Sequence, residues 1–384
     1  MAKRVVMLAV AGAGKTYHIC NAIDPSKKNL ILAYTHENVR IINKELMVAF
    51  GKIPQLTSVM TFSAFLNRLL LRPYEPSILR YFGRTGFTSK GITTINPPPQ
   101  QIKVPSMTGT RYVSNPKYKK KDCFDHYIDP HGQYYCDNLS ELIMEVKEDK
   151  TKLIKKAGLI LNSFFDQIMI DEFQDYREND FDLIMELSKY LDNALYVGDF
   201  YQHSVSATNN SGRPFTINNK KTGKKFLTYD EYKALLSTKK FDVDETTLNK
   251  SRRCSKQVCE LVRQKLKIEI YSHDDHESRI IWVSVNPEDV LGDDSILKLV
   301  SKNAKKYSFN SKNWSYSKGG TVDKACVILT KNLEHFPDTN FSCDNMAPST
   351  LNELYVALTR ARGDLYIMTD SIFSLVRERY LFPD

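Results

Sequence analysis

The apolar positions of this chain fall into short, dense runs rather than long stripes. "VVMLAV" (5–10) is continuous and rich in β-branched residues, the pattern of a strand buried on both faces. "AGAGKT" (11–16) follows it, and then "YHICNAI", which reads as the continuation into a helix. A second short run, "IMI" (168–170), also reads as a buried strand and ends on two carboxylates, Asp171 and Glu172. Both strands are expected in one parallel sheet, with their loops at its carboxyl edge where α/β folds place ligands. A different texture separates them. Residues 72–140 are rich in Pro, Gly and Tyr, including "NPPPQ" (96–100). The aromatic alternation of "DHYIDPHGQYYCD" (125–137) predicts a β-hairpin turning at Pro130 to Gly132. No internal repeat, coiled coil or low-complexity tail is visible.

Composition changes this picture little. A chain of 384 residues can hold two domains, and 42% hydrophobic with 26% charged residues is ordinary for a water-soluble globular protein. No apolar run reaches the roughly 18 to 20 residues that span a bilayer. The apolar start is too short for a secretory signal, so the expected location is the cytoplasm, with no membrane partner. Seven cysteines without a CxxC pair suit reduced thiols, several of them buried, better than a disulfide framework. Cys123, His126, His131 and Cys136 lie close together, but their spacing fits no common zinc pattern. Charge adds more. The net formal charge is +9, locally concentrated in "NPKYKKKD" (115–122) and "NKKTGKKF" (219–226), which suits either a polyanionic partner or a set of solvated loops.

The candidate chemistry lies at the ends of the two predicted strands. Strand, glycine loop and helix form the setting of a phosphate-binding loop. Gly12 and Gly14 let the backbone turn tightly, so that the N–H groups of Ala11, Gly12, Ala13 and Gly14 can face a phosphate at a helix N-terminus. Lys15 would reach the β- and γ-phosphates, and Thr16 would offer a hydroxyl to Mg²⁺. The full pattern has glycine where this chain has Ala9, and a structural glycine turn is the plainer alternative. The acid pair supplies the missing partner. Asp171 is placed to hold Mg²⁺ through water, and Glu172 to orient or deprotonate an attacking water.

The spelling and order of further segments carry more. "DEFQD" (171–175), "YVGDFYQHS" (196–204) and "ELYVALTRAR" (353–362) occur in that order, with "LAYTHEN" (32–38), "MTFSAF" (60–65), "LNKSRRCS" (248–255) and "YSKGGTVDKACVIL" (316–329) between and around them. In content and order these resemble the motifs of UvrD/Rep-type superfamily 1 DNA helicases, from residue 9 to about residue 368. The resemblance implies an α/β protein with two RecA-like P-loop NTPase motor domains, parallel sheets and a small inserted subdomain. Motif spacing then puts the first motor domain at 1–71 and 141–245, a basic and aromatic insertion at 72–140, and the second motor domain at 246–384.

The resemblance also implies roles. Gln174 and Gln202 look like glutamines that sense the γ-phosphate and the attacking water. Arg253 and Arg360 match two arginines that reach the γ-phosphate from the second motor domain, where a permanently charged guanidinium stabilises the equatorial oxygens. Thr35, Asn38, Thr61 and Phe62 align with motifs that touch single-stranded DNA, as do Ser317 and Lys318. For each threonine or serine, local capping is the alternative. The implied cofactors are ATP and Mg²⁺, and the implied partner is single-stranded DNA, tracked 3′ to 5′. Several positions depart from the family pattern. Arg252 stands where a tyrosine usually stacks on adenine, only eight residues precede Ala9 where an adenine-reading glutamine would lie, and "HSVSATNNSG" lacks the aromatics that stack on bases. Trp314, Tyr316 or the tyrosines at 112–135 could compensate, and lysines 117 and 119 to 121 could serve DNA phosphates. The competing expectation is a DNA-responsive ATPase switch acting through a partner such as a nuclease in a phage or antiphage system.

Overall fold

The first apolar run forms the middle of a sheet. In the computed structural model, described over residues 3–106, 109–203, 227–315 and 320–382, strand β1 is Lys3–Leu8. It begins and ends two residues earlier than the apolar pattern predicts. Ala9 and Val10 still bond as extended chain, their N–H groups donating to Gly198 O at 2.8 Å and Leu248 O at 3.0 Å, but they already lead into the loop. Around β1 lie β2 (Asn29–Ala33), β3 (Thr57–Thr61), β6 (Gln167–Ile170), β7 (Asn193–Gly198) and β8 (Asp242–Asp244). The numbers β4 and β5 belong to a hairpin, Gln101–Ser106 and Gly109–Ser114. The sheet order is β8-β1-β7-β6-β2-β3, and every pairing is parallel.

A second sheet follows in the chain, with β9 (Ile280–Val283), β10 (Ile296–Val300), β11 (Ser311–Asn313), β12 (Lys324–Ile328) and β13 (Leu365–Met368). Its order is β9-β13-β12-β10-β11, again wholly parallel. Two parallel sheets of six and five strands make this an α/β protein with the arrangement of two RecA-like domains.

Alternation along each strand sorts the cores. On β7, Ala194 and Tyr196 face one side while Leu195 and Val197 face the other. The first side packs under helices α3 (Leu139–Glu145), α4 (Leu153–Phe164) and α5 (Glu178–Ser188). Ile78, Phe124, Tyr127 and Tyr134 of the 72–140 segment join this same core, so that segment is built onto the first sheet's helical layer. The second side packs with α1 (Lys15–Ala22) and α2 (His36–Phe50) and runs without a break into Leu297, Leu299, Val327 and Ile367 of the second sheet. One apolar cluster therefore joins the two halves.

The predicted hairpin at 125–137 is only partly there. A turn closes with Gly132 N donating to Asp129 O at 3.1 Å, but antiparallel pairing is reduced to the single bridge between Ile128 and Tyr134. Tyr134 and Tyr135 pair instead with Ile92 and Thr93, in parallel. The regular hairpin is β4–β5, with six cross-strand pairs. All seven cysteines are free thiols, five of them buried. Both ring nitrogens of His126 are engaged, Nδ1 with Lys119 O at 2.7 Å and Nε2 with Glu141 Oε2 at 3.2 Å. Among the described residues no three or more His, Cys, Asp and Glu side chains cluster to hold a metal, and no helix is long and apolar enough to cross a membrane.

Gly198 ends β7 where a side chain has no room. A Cβ there would sit 2.7 Å from Gln174 Oε1 and 3.0 Å from Gln174 N. Gly198→Ala is expected to lower stability by about 1–3 kcal/mol through overpacking, read as a lower urea midpoint.

Candidate active site

The loops at the carboxyl ends of β1, β6 and β7 meet at one edge of the first sheet. After β1 the chain turns through Gly12 (φ 72°) and Gly14 (φ 83°), and Gly14 caps α1 in the left-handed region. Ala9, where the pattern has glycine, keeps an ordinary negative φ, which is why alanine is tolerated. No side chain caps α1, so its first N–H groups keep the positive end of the helix dipole for an anion.

After β6, Asp171 is 1% exposed and accepts from Thr16 Oγ1 at 2.8 Å. Glu172 adopts φ 52°, an uncommon left-handed conformation for a glutamate. That turn brings its Oε2 to 3.6 Å from Lys15 Nζ and 2.6 Å from the Gln174 amide nitrogen. Gln174 Oε1 in turn accepts from Asp199 N at 2.8 Å, tying the end of β6 to the end of β7. Gln202 follows in a short 3₁₀ turn and is 3% exposed.

The second half of the chain closes the other side. Arg252 N donates to Gly12 O at 2.9 Å, and a Cβ on Gly12 would lie 2.6 Å from Arg253 Cβ. The result is a cleft of about 250 Å³, lined by Gly12, Ala13, Gly14, Lys15, Thr16, Asp171, Glu172, Gln202 and Arg253, together with Tyr17, Asn38, Ile41 and Glu45.

Electrostatics suit a charged occupant. Burial, reinforced by the neighbouring Glu172 charge, pushes the Asp171 carboxyl up to about 6 despite the opposing Thr16 bond and Lys15 charge. Burial and the charge of Arg253 pull Arg360 down to about 9, and burial also lowers Arg253. Each shift records a charge that is costly to hold in this site. A polyphosphate would relieve the guanidinium groups, and a small divalent cation would relieve Asp171. The Thr16 hydroxyl and the Asp171 carboxylate are hard oxygen donors at the bottom of the glycine loop, a donor set that fits Mg²⁺.

Not every predicted residue reaches the cleft wall. Ala11 is fully buried, and its N–H donates to Tyr355 Oη at 2.8 Å. Arg360 lies one layer behind the wall, with Nε on Val356 O at 2.9 Å and Nη1 on Gly320 O at 3.1 Å. Thr35 and Thr61 cap helices, accepting from Asn38 N at 3.1 Å and Ala64 N at 3.2 Å. Asn38 itself lines the cleft. Phe62 is 4% exposed, with its ring edge-on to Tyr176 at 4.9 Å. Trp314, named above as a possible stacking aromatic, is fully buried, and its Nε1 donates to Leu299 O at 2.9 Å. Ser317, Lys318 and Tyr316 lie outside the described residues, as do all but the first residue of "HSVSATNNSG" and the lysines of 219–226.

Two residues escaped the sequence reading. Tyr17 lines the cleft half-exposed, with the Arg252 guanidinium 5.8 Å from its ring centre. Tyr355, on helix α6 (Pro348–Leu358), is fully buried and also donates to Asp199 Oδ2 at 3.3 Å. Its position inside "ELYVALTRAR" was the available signal.

No protein-family model matches the chain, and neither does any curated protein sequence. Among solved structures it is similar to the arterivirus nonstructural protein 10 helicase in complex with DNA, with TM-score 0.42 and 13% identity, covering 98% of this chain and 63% of that one. It is similar also to the PRRSV helicase, with TM-score 0.42 and 12% identity, covering 99% of this chain and 54% of that one. The chain thus spans less than two thirds of the length of either structure.

Tyr355 joins the glycine loop to Asp199 from the far half of the chain. Removing its hydroxyl leaves the buried Ala11 N–H without that acceptor. Tyr355→Phe is expected to cost about 1–3 kcal/mol in urea unfolding. A variant as stable as wild type would show that the bridge contributes nothing.

Proposed function

We propose that the chain is an ATP-dependent translocase or helicase on single-stranded DNA, hydrolysing ATP in the cleft between its two halves. The observation that carries the reading is the convergence of Lys15, Thr16, Asp171, Glu172 and Gln202 from one half with Arg253 from the other, around one cavity. A structural glycine turn would have no use for this set. The division proposed is a first motor domain of 1–71 and 141–245, an insertion of 72–140, and a second motor domain of 246–384.

In this reading the loop N–H groups and Lys15 hold the β- and γ-phosphates. Thr16 and Asp171 would hold Mg²⁺, which when bound supplies positive charge against the phosphates. Glu172, kept in place by Lys15 and Gln174, orients the attacking water and takes its proton. Gln202 positions that water from the end of β7. Arg253 stabilises charge on the γ-phosphoryl oxygens, and Arg360 behind it raises the positive potential. Because Arg253 belongs to the other half, nucleotide binding favours closure and hydrolysis releases it. Movement 3′ to 5′ is what the family resemblance implies.

The alternative is an ATPase switch acting through a protein partner. The burial of Phe62 and Trp314 favours it, since two aromatics that could have stacked on bases are inside the core. The ATPase rate with and without single-stranded DNA separates the two. Strong stimulation by DNA is expected, with Lys15→Ala and Glu172→Gln each lowering turnover by about 10²-fold or more. Hydrolysis indifferent to DNA would transfer support to the switch. No turnover in the wild type would remove both.

A further inference from the structure

The basic charge of this protein is not spread evenly. Between Pro76 and Lys121 there is no aspartate or glutamate, but there are nine basic residues: Arg80, Arg84, Lys90, Lys103, Arg111, Lys117 and lysines 119 to 121. Three are neutralised by acids elsewhere, Arg80 by Glu148, Arg84 by Asp125 and Lys121 by Glu141. The other six are exposed and form no ion pair among the described residues. Clustered like charges repel and lower stability unless a polyanion answers them.

This segment is also held in shape. Asn115 ties the base of the β4–β5 hairpin, its N–H donating to Gln100 O at 3.0 Å and its side-chain amide to Pro99 O at 2.9 Å. The main chain of the lysine tract is fixed by His126 on Lys119 O at 2.7 Å and by the Tyr127 hydroxyl on Lys121 O at 3.0 Å. A merely solvated loop has no need of these attachments. The Lys117, Lys119 and Lys120 side chains are left pointing to solvent from a fixed backbone.

The hairpin has one half-buried face, with Ile102, Val104 and Val113, and one open face. On the open face Lys103 pairs across the strands with Tyr112, its ammonium 5.5 Å from the ring centre. Tyr112 is 62% exposed. The aromatics named in the sequence as possible base platforms are less available, since Trp314, Tyr127, Tyr134 and Tyr135 are all buried.

We propose that the open face of this hairpin and the adjoining lysine tract bind an unpaired nucleic-acid strand, with Tyr112 stacking on a base and Lys103, Lys117, Lys119 and Lys120 lying along its phosphates. An exposed ring beside a cation is the combination that single strands use and paired bases cannot. The assignment rests on the nucleic-acid reading above and adds to it the surface that holds the strand.

The test is fluorescence anisotropy of the full chain with a fluorescein-labelled oligodeoxythymidine, over a range of salt concentrations and without nucleotide. Tyr112→Ala is expected to weaken binding on the order of 5- to 100-fold, while Tyr112→Phe, which keeps the ring, retains it. Lys103→Ala combined with Lys120→Ala is expected to flatten the salt dependence, lowering the log–log slope by about 1.4. Unfolding midpoints equal to wild type establish that the variants fold. Wild-type binding with every variant unchanged overturns the hairpin assignment alone. Equal losses in Tyr112→Ala and Tyr112→Phe overturn the stacking. A wild type with no measurable affinity overturns the proposal together with the nucleic-acid reading.

Discussion

Gly12 touches the segment 251–253 so closely that no side chain could stand between them, and much of the architecture follows from that contact. The loop after β1 must turn through positive φ to meet it, and its carbonyl must be free to accept from Arg252 N. The approach carries Arg253 to the cleft wall and places Ser251 beside the loop, its hydroxyl accepting from Arg253 N at 3.2 Å and from Cys254 N at 2.9 Å. Tyr355 reinforces the junction from a second helix, bonding to Ala11 and Asp199 at once. The apolar cluster shared by the two sheets supplies the nondirectional part of the attachment. The polar contacts fix its register.

The same junction explains why costly charges are tolerated. Asp171, Arg253 and Arg360 are all buried enough for burial to shift them against their charged forms. A folded protein keeps such groups when they are paired or when a ligand will pair with them. Here the carboxylate sits at the bottom of the cleft with Thr16, and the Arg253 guanidinium lines the opposite side with Arg360 behind it. A triphosphate with its cation would lie between opposite charges that flank the space it fills.

Where the physics was local, the sequence was readable. "VVMLAV" and "IMI" were recognisable as buried strands because continuous apolar runs have few other uses. Gly12 and Gly14 take the positive φ that the loop reading required. Thr35 and Thr61 behave as caps, the alternative that their place between strand and helix suggested. What stayed hidden depended on distant packing. Nothing in the residue type says that Trp314 and Phe62 are inside while Tyr112 is outside, because exposure is decided by elements far away in the chain. Nor does the spelling of β4 advertise a hairpin. Its strand contains Pro105, and its apolar residues are only half-buried. Tyr355 lay in a segment already quoted for Arg360, but its two bonds reach residues more than 150 positions away.

The cleft is tested most directly by a crystal structure with Mg²⁺ and a non-hydrolysable ATP analogue. The γ-phosphate should lie between Lys15 and Arg253, with Arg253 released from Thr321 and the Thr359 carbonyl that it now bonds at 2.8 and 3.2 Å. The metal should lie on Thr16 and Asp171. A nucleotide bound elsewhere, or one seated on the loop while Arg253 keeps both of its present partners, would contradict it.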